Sequence, residues 1–489
     1  MTARPAIPQV AHAPLAARIE RQWDESILPE LIEYIRLPAK SPAFDAEWAK
    51  HGHIDTAIQN AERWVKAQSV TGLHVEIIRI GARTPVLFFD IPATGGLGND
   101  RTVLFYGHLD KQPEMTGWRA DLSPWKPVYE DGKLYGRGGA DDGYAVYAAL
   151  ASVMALDAEG VPRPRCVGLI ETCEESGSFD LPAYLDQLAP RMGDVQLVVA
   201  LDSGAGNYEQ LWVTTSLRGL VNGTLNVKVL EEGVHSGDAG GVVPESFRIA
   251  RRLLDRIDDS GTGVVKPAAF NATIPADRQD QARQAAAILG DSMWKRFPWA
   301  SCCDDGVTAS LFAEPVTKDP VELVLNRTWR AALAVTGADG LPPTASAGNV
   351  QRPETALKLS LRLPPTVDGP TAGKHLKATL EQDPPSNARV TFSYQSASTG
   401  WNAPAVAPWL AAALDAASNA CFGKPAVYMG EGGSIPFMGM LGEKFPRAQM
   451  LVTGVLGPKS NAHGPNEFLH VPFAKKITAA AAMVVASTR

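Results

Sequence analysis

Short apolar strands that alternate with helices constrain the fold of this chain more than any other feature of its sequence. Four segments have the length and apolar content of buried strands: 84–93, 102–110, 166–172 and 195–203. Two stretches between them have the spacing of helices: 144–160 and 181–192. This alternation predicts an α/β domain with a mostly parallel sheet flanked by helices. Ligands of such sheets bind at the carboxyl ends of the strands.

The sequence pattern changes near Leu217. Beyond it, three segments alternate in polarity as half-exposed strands do: 219–233, 356–365 and 388–398. Two segments have the pattern of amphipathic helices, 244–258 and 371–382, and together these elements form two strand–helix–strand units. The stretch between the first and second units is predicted to be irregular. We therefore predict one α/β domain, formed by 1–216 and 397–489, that is interrupted by an inserted α+β domain, 217–396.

The composition argues against several classes of partner. The net charge is −7 and no Lys/Arg-rich run occurs, which argues against nucleic acid or an anionic membrane as a partner. The first residues have no apolar core of signal-peptide length, and no apolar stretch is long enough to span a bilayer. Five cysteines without a C-x-x-C pair signal neither a disulfide framework nor a thiolate zinc site, so we expect a cytoplasmic location.

Acidic residues and histidines follow the predicted strands at the points where these strands end. They are His108 and Asp110, Glu174 and Glu175, and Asp202; Asp141 and Asp142 begin a helix, and His463 lies in a Gly/Pro-bounded loop. Each has an ordinary structural interpretation by itself, as a helix N-cap, a turn residue or a hydrogen-bonded histidine. Because the carboxyl ends of parallel strands share one edge, their convergence instead predicts a site for zinc or a similar divalent ion.

The spacing within two of these pairs suggests how the roles divide. His108 and Asp110 are two residues apart on a strand, so both side chains point to one side and Asp110 can orient the imidazole. The adjacent Glu174 and Glu175 diverge at a strand end, so one can bind metal while the other acts as a general base. We expect the nearby Glu171 and Cys173 to be structural.

Seven motifs occur in an order that resembles a known family. They are GHLD, YGRGGADDG, ETCEESGS, ALDSG, HSGDAGG, GEGGSIP and AHGPNE. This set resembles the co-catalytic zinc exopeptidases of clan MH, which include carnosinases, bacterial dipeptidases, carboxypeptidase G and acyl-amino-acid deacylases such as acetylornithine deacetylase. The resemblance extends from about residue 15 to the C-terminus. It implies a catalytic domain with an inserted lid and dimerisation domain, and a homodimer.

The resemblance also implies roles for individual residues. Two divalent ions are expected, zinc first, with manganese or cobalt as alternatives: His108 and Asp202 would hold one ion, Glu175 and His463 the other, and Asp141 would bridge them. The peptide bond between Asp141 and Asp142 is often cis in this family. Glu174 would be the general base, and Asp110 would support catalysis by orienting His108.

Further expected site residues lie in the inserted domain or near the C-terminus. By the resemblance, His235 would stabilise the oxyanion in the active site of a partner subunit. Arg362, a lone arginine in an apolar strand, would bind the substrate carboxylate. Asn349 matches a polar lid residue, and Glu431 and Ser434 match residues that line the substrate pocket.

One departure from the family pattern affects the substrate. Dipeptidase relatives usually read D-D-K-G, whereas Gly143 follows the paired aspartates here. We predict a hydrolase that cleaves dipeptides or similar small carboxylate-bearing amides with a two-metal-activated water. The alternative is an N-acyl or N-carbamoyl amino-acid amidohydrolase. A non-catalytic binding protein on this fold is a weaker alternative, because all five ligands and Glu174 are retained.

Overall fold

The computed structural model describes residues 10–300 and 313–488, which form two compact units. Unit 1 comprises Met1–Thr214, Ala403–Tyr428 and Met440–Arg489, and unit 2 comprises Thr215–Asn402 and Met429–Gly439. The segment Met429–Gly439 thus belongs to unit 2, whereas the sequence prediction had placed it with the α/β domain. Cys302 and Cys303 lie outside the described residues.

The described strands are numbered in chain order. They are β1 (His74–Ile78), β2 (Val86–Ile91), β3 (Arg101–His108), β4 (Val128–Glu130), β5 (Lys133–Tyr135), β6 (Arg165–Glu171), β7 (Asp194–Ala200), β8 (Trp212–Leu217), β9 (Gly219–Lys228), β10 (Val234–His235), β11 (Ala332–Asp339), β12 (Val350–Gln351), β13 (Glu354–Leu363), β14 (Arg389–Ser398), β15 (Trp401–Asn402), β16 (Val427–Glu431), β17 (Gln449–Val452) and β18 (Phe468–His470).

The helices are numbered in the same way. They are α1 (His12–Gln22), α2 (Leu28–Arg36), α3 (Trp48–His51), α4 (His53–Lys66), α5 (Ala145–Ala158), α6 (Leu181–Met192), α7 (Ser236–Ala239), α8 (Ser246–Leu254), α9 (Ala276–Leu289), α10 (Ser292–Lys295), α11 (Pro320–Thr328), α12 (Gly369–Glu381), α13 (Pro408–Phe422), α14 (Pro436–Lys444) and α15 (Val471–Ser487). Among the described residues, none of these helices combines the length and the apolar character that a bilayer span requires.

Unit 1 is built on a six-stranded sheet of order β1-β2-β6-β3-β7-β17. Three of its five strand pairings are parallel, and the two at the β1 end are antiparallel. The short connection between β1 and β2 explains one antiparallel pair, because a parallel pair needs a long crossover. The predicted strands and helices of this sheet are present, and α5 is buried on nearly all sides, as its apolar sequence requires.

The register of the central strands sets the position of the candidate ligands. Strand β3 pairs with β6 through His108↔Glu171 and with β7 through Tyr106↔Ala200. The three strands therefore end side by side at one edge of the sheet. The residues that follow each strand emerge at this same edge.

Unit 2 contains a four-stranded antiparallel sheet of order β11-β13-β9-β14. Buried and half-buried residues alternate along β9 and β13, as the alternating sequence predicts. The buried face packs with α8 and α12 into an apolar core that includes Val221, Leu225, Leu359 and Leu376. This is the α+β arrangement expected for the inserted segment.

The prediction of a long irregular region between the two strand–helix–strand units was wrong. The described part of this region contains α9, α11 and β11. Helix α9 is polar and alanine-rich, and β11 is an edge strand with mostly exposed residues. Neither has the apolar periodicity on which sequence recognition depends.

Candidate metal centre

Five candidate ligands converge within unit 1. Each is held by a separate element at the edge described above: His108 ends β3, Asp141 lies in the turn before α5, Glu175 lies in the single helical turn after β6, Asp202 follows β7, and His463 lies in the loop between β17 and β18. The structure therefore brings together all five residues that the sequence nominated.

The five side chains form two groups that share Asp141. In the first group, Nε2 of His108 lies 3.3 Å from Oδ1 of Asp141 and 3.7 Å from Oδ2 of Asp202. In the second, Nε2 of His463 lies 3.0 Å from Oδ2 of Asp141 and 3.3 Å from Oε2 of Glu175. Within each group the ligand atoms lie within 4.8 Å of one another. Asp141 thus offers one carboxylate oxygen to each group.

The electrostatics of the two groups favour bound cations. Burial raises the pKa of Glu175 to about 8 and that of Asp202 to about 7, and the negative charge of Asp141 adds to both shifts. Burial opposes ionisation of Asp141 as well, but hydrogen bonds with His108 and His463 lower its pKa. Carboxylates crowded in a desolvated site are stabilised by divalent ions, and this cysteine-free donor set suits zinc or a similar metal. The residues therefore fit two such ions.

Asp110 connects the first histidine to the paired glutamates. Its backbone oxygen lies 3.1 Å from Nδ1 of His108, and its Oδ1 lies 3.5 Å from the same nitrogen. Its carboxylate also accepts hydrogen bonds from the backbone N–H groups of Glu174 (3.1 Å) and Glu175 (3.0 Å). Asp110 therefore orients the imidazole so that Nε2 faces the other ligands, and it fixes the turn from which the two glutamates diverge.

Glu174 lies beside the ligands without belonging to either group. Its Oε2 is 4.0 Å from Nε2 of His108. Burial raises the pKa of Glu174 well above its ordinary value, and the charges of Asp202 and Glu175 add to the shift. A carboxylate with a raised pKa accepts and returns a proton more readily than an ordinary one near neutral pH.

A buried ion pair that the sequence analysis did not single out fixes two of the ligand-bearing turns. Nη1 of Arg137 donates to Oε2 of Glu467 at 2.5 Å, and both side chains are almost fully buried. Arg137 also donates to the backbone oxygen of Gly464 (2.8 Å), and Glu467 accepts from the backbone N–H of Gly138 (2.9 Å). Both residues lie in quoted motifs, but sequence alone does not show that they pair across 330 positions.

The structure explains the glycine after the paired aspartates. A Cβ atom at Gly143 would lie 2.1 Å from Cε1 of Tyr34 and 2.7 Å from the backbone oxygen of Gly138. Tyr34 is held in place, because its hydroxyl donates to the backbone oxygen of Leu109 (3.1 Å) and Lys111 donates to its backbone oxygen (2.7 Å). A side chain at position 143 is therefore excluded by the packing of α2, and the peptide bond before Asp142 is cis.

Glu171 and Cys173 have the structural roles expected of them. The carboxylate of Glu171 accepts hydrogen bonds from the hydroxyl groups of Tyr106 and Ser178, and the thiol of Cys173 lies 3.4 Å from its second oxygen. Glu171 is fully enclosed, and burial raises its pKa to about 7. These contacts occupy both carboxylate oxygens of Glu171, so it is not available as a ligand.

Two of the expected site residues lie next to each other in unit 2. Nδ1 of His235 accepts a hydrogen bond from the backbone N–H of Gly237 (3.1 Å), which caps the short helix α7. The backbone N–H of Ser236 donates to the backbone oxygen of Asn349 (2.9 Å). The imidazole of His235 is exposed, and its second nitrogen, Nε2, takes no part in the capping contact.

The other three expected residues also lie in unit 2. Nη1 of Arg362, on β13, donates to Oγ of Ser434 at 3.0 Å. Glu431 forms an ion pair with Arg327, a residue that the sequence analysis did not nominate. The structure therefore groups Arg362, Ser434 and Glu431 around the turn that follows β16.

Comparison with known proteins identifies the family. A model of Peptidase family M20/M25/M40 matches residues 104–487. The chain belongs to this peptidase family. The peptidase is 27% identical over 449 residues to the cysteinylglycine-S-conjugate dipeptidase of Corynebacterium striatum, covering 86% of this chain and 90% of that protein. It is 28% identical over 293 residues to the Beta-Ala-His dipeptidase of Homo sapiens, covering 58% of this chain and 55% of that protein.

Solved structures confirm the α/β fold class of the peptidase. It resembles the di-peptidase Dug1p from Saccharomyces cerevisiae with a TM-score of 0.74 at 20% identity, covering 98% of this chain and 99% of that one. Human carnosine dipeptidase 1 gives a TM-score of 0.74 at 20% identity, with 99% of each chain covered. The predictions of a co-catalytic metallopeptidase family and of an enzyme are confirmed: the protein is a metal-dependent peptidase.

The buried ion pair predicts a large loss of stability in one variant of this peptidase. Arg137→Met leaves the carboxylate of Glu467 buried without its partner, which should lower the free energy of unfolding by about 3–5 kcal/mol. The double variant Arg137→Met/Glu467→Leu should recover much of this loss, because it removes both charges. Chemical denaturation followed by fluorescence measures both effects. Arg119→Met, in an exposed ion pair with Asp121, is the matched control, and an equal loss there would contradict the prediction.

The shared position of Asp141 predicts how metal content responds to single substitutions. The purified protein should contain about two divalent ions per chain. His463→Ala should remove about one ion, whereas Asp141→Ala should weaken both because this carboxylate serves both groups. Mass spectrometry of the undialysed proteins measures the metal content. The exposed His51→Ala is the control, and full metal content in Asp141→Ala would contradict the assignment.

Proposed function

We propose that this metal-dependent peptidase is a dipeptidase that cleaves the amide bond of small dipeptides with a free carboxylate. The observation that carries the proposal is the pair of ligand groups that share Asp141 beside Glu174. The two relatives described above are named as dipeptidases, one for cysteinylglycine conjugates and one for Beta-Ala-His. These names do not favour the alternative function as an N-acyl or N-carbamoyl amino-acid amidohydrolase.

The proposed ligands divide between two ions. His108 and Asp202 hold one ion, Glu175 and His463 hold the other, and Asp141 contributes to both. Zinc is proposed, although manganese and cobalt also suit this donor set. When bound, such a pair of ions acidifies a water molecule and polarises the scissile carbonyl.

Glu174 is the proposed general base. It takes a proton from the attacking water and later gives it to the leaving amine, which requires a carboxyl group that carries the proton between the two steps. The position of Glu174 supports this role, because its carboxylate is buried beside the ligand groups and a desolvated carboxylate holds an abstracted proton more firmly than an exposed one. Asp110 acts through its neighbours: it orients His108 and fixes the backbone of Glu174.

Residues of unit 2 are proposed to bind the substrate. Arg362 and Ser434 bind its carboxylate, and Asn349 and Glu431 provide further polar contacts. His235 is proposed to stabilise the oxyanion in the active site of a partner subunit, so we propose that the protein is a homodimer. The exposure of the His235 imidazole supports this role, since the capping contact uses Nδ1 and not Nε2.

The general-base role predicts a variant with metal but little activity. Glu174→Gln keeps the size of the side chain and removes its basicity, so kcat should fall by a factor of about 10²–10⁴ while metal content is unchanged. Hydrolysis of cysteinylglycine and β-alanylhistidine, together with metal analysis, measures the two properties. Glu175→Gln is the matched comparison, because it should also lower metal content. Wild-type turnover by Glu174→Gln would rule out the mechanism.

The substrate class is tested by a panel of small amides. The wild-type protein should hydrolyse dipeptides, and a chelator should abolish turnover that added zinc, manganese or cobalt restores. N-acetyl and N-carbamoyl amino acids of matched side chain should be cleaved far more slowly. Turnover confined to the acylated or carbamoylated compounds would show that the dipeptidase proposal is wrong.

A further inference from the structure

The turn of residues 431–434 in unit 2, called here the Glu431 turn, is surrounded by arginines from three other segments. The backbone N–H of Arg218 donates to the backbone oxygen of Gly433 (3.1 Å), and its Nε donates to that of Gly432 (3.2 Å). Arg362 donates to Oγ of Ser434 (3.0 Å), and this hydroxyl donates to the backbone oxygen of Arg218 (2.5 Å).

The charges around the Glu431 turn do not balance. Arg218, Arg327 and Arg362 bring three guanidinium groups, and Arg296 lies close enough to interact with Arg327 and Glu431. Glu431 brings one carboxylate, which pairs with Arg327. In the part of the chain that the structure describes, no Asp or Glu lies within ion-pair distance of Arg218 or Arg362. Among the described residues, Arg218 and Arg362 therefore have no ion-pair partner of their own, and the single carboxylate of Glu431 interacts with Arg218 as well as with Arg327.

Arg218 and Arg362 lie close together, because both contact the Glu431 turn and Ser434 bonds to both residues. Burial, together with the smaller repulsion from Arg362 and Arg327, lowers the pKa of Arg218 to about 10, although the carboxylate of Glu431 acts in the opposite direction. Burial also lowers the pKa of Arg362. Half-buried positive charges that repel each other destabilise unit 2 unless an anion binds between them.

Hydrogen bonds to backbone carbonyls position Arg218 without neutralising it. Its Nη1 donates to the backbone oxygens of Asn326 (3.3 Å) and Arg330 (3.4 Å), and its Nε bonds to Gly432 as described above. A guanidinium has five N–H donors, and the two on Nη2 of Arg218 are not used by these contacts. Nη2 lies beside Gly432, where a Cβ atom would be 3.2 Å away. A side chain at position 432 would crowd this nitrogen, and glycine leaves the space beside it open.

We infer that the Glu431 turn recognises a C-terminal substrate residue with two carboxylates, so that dipeptides ending in Asp or Glu are preferred. The α-carboxylate neutralises Arg362, and the side-chain carboxylate neutralises Arg218. This inference rests on the proposed dipeptidase function. It adds that the enzyme selects substrates by the charge of their C-terminal residue. A monoanionic residue neutralises only one of the two guanidinium groups and leaves the other unpaired.

The comparison of glutamate with glutamine isolates this effect. The two side chains have nearly the same shape, but the glutamine amide cannot neutralise Arg218. A hydrogen bond between charged groups is stronger than one to a neutral group, and an unpaired charge in a half-buried site is costly. The value of kcat/KM for Ala-Glu should therefore exceed that for Ala-Gln by about tenfold or more.

The test uses the metal-loaded wild-type protein with Ala-Glu, Ala-Gln and Ala-Ala as substrates. Arg218→Met should bring the Ala-Glu to Ala-Gln ratio of kcat/KM close to one, and Arg218→Lys, which keeps the charge, should retain part of the preference. Arg389→Met, an exposed arginine of unit 2 outside the Glu431 turn, is the control and should keep the wild-type ratio. A wild-type ratio near one, or an unchanged ratio in folded Arg218→Met, overturns the inference.

The outcome for Ala-Ala separates this inference from the proposed function. Hydrolysis of Ala-Ala and Ala-Gln with no preference for Ala-Glu leaves the dipeptidase function intact and removes the acidic specificity. If these three, cysteinylglycine and β-alanylhistidine are all left intact, the dipeptidase proposal fails, and calorimetry with free glutamate and glutamine then tests recognition without turnover. Tighter binding of glutamate by about tenfold supports the inference, whereas equal binding overturns it.

Discussion

Desolvated negative charge at one edge of a sheet is the constraint on which the rest of unit 1 depends. Asp141, Glu175 and Asp202 are drawn together from three elements, and burial makes their joint ionisation costly. A fold that only required stability would place apolar residues here, because buried carboxylates stabilise little by themselves. Their clustering with two histidines has the chemistry that divalent cations require of their ligands.

The surroundings of this charge are arranged to keep it in place. Asp110 contacts the His108 imidazole through its backbone oxygen and accepts two backbone N–H groups with its carboxylate, so one residue fixes groups that follow two strands. The ion pair of Arg137 and Glu467 performs a similar task for the turns on either side of it. Residues that hydrogen-bond to a metal ligand, or to the turn that carries it, fix the ligand's orientation. In unit 1, Asp110 and the pair of Arg137 and Glu467 do this for the ligand-bearing turns that they contact.

Sequence reasoning predicted the parts of this protein that have strong local patterns. The buried strands β3, β6 and β7 were found because each is a continuous apolar run that ends in polar residues, and the shared edge of a parallel sheet then grouped their ends. Helix α9 and strand β11 were missed because their residues lack apolar periodicity. The ion pair of Arg137 with Glu467, and the positions of Arg218 and Arg327 beside the Glu431 turn, were missed for another reason. Such contacts join distant segments, and no local pattern records them.

Unit 1 is assembled from segments that are far apart in the chain, and this affects how the protein is made. During synthesis His108, Asp141, Glu175 and Asp202 emerge early, whereas His463 and Glu467 emerge only after the whole of unit 2. Until then Arg137 has no Glu467 and Asp141 has no second histidine. The sheet edge must therefore persist with an incomplete set of ligands while the 260 residues between Asp202 and His463 are added, so the final stage of folding and the completion of the second ligand group are one event.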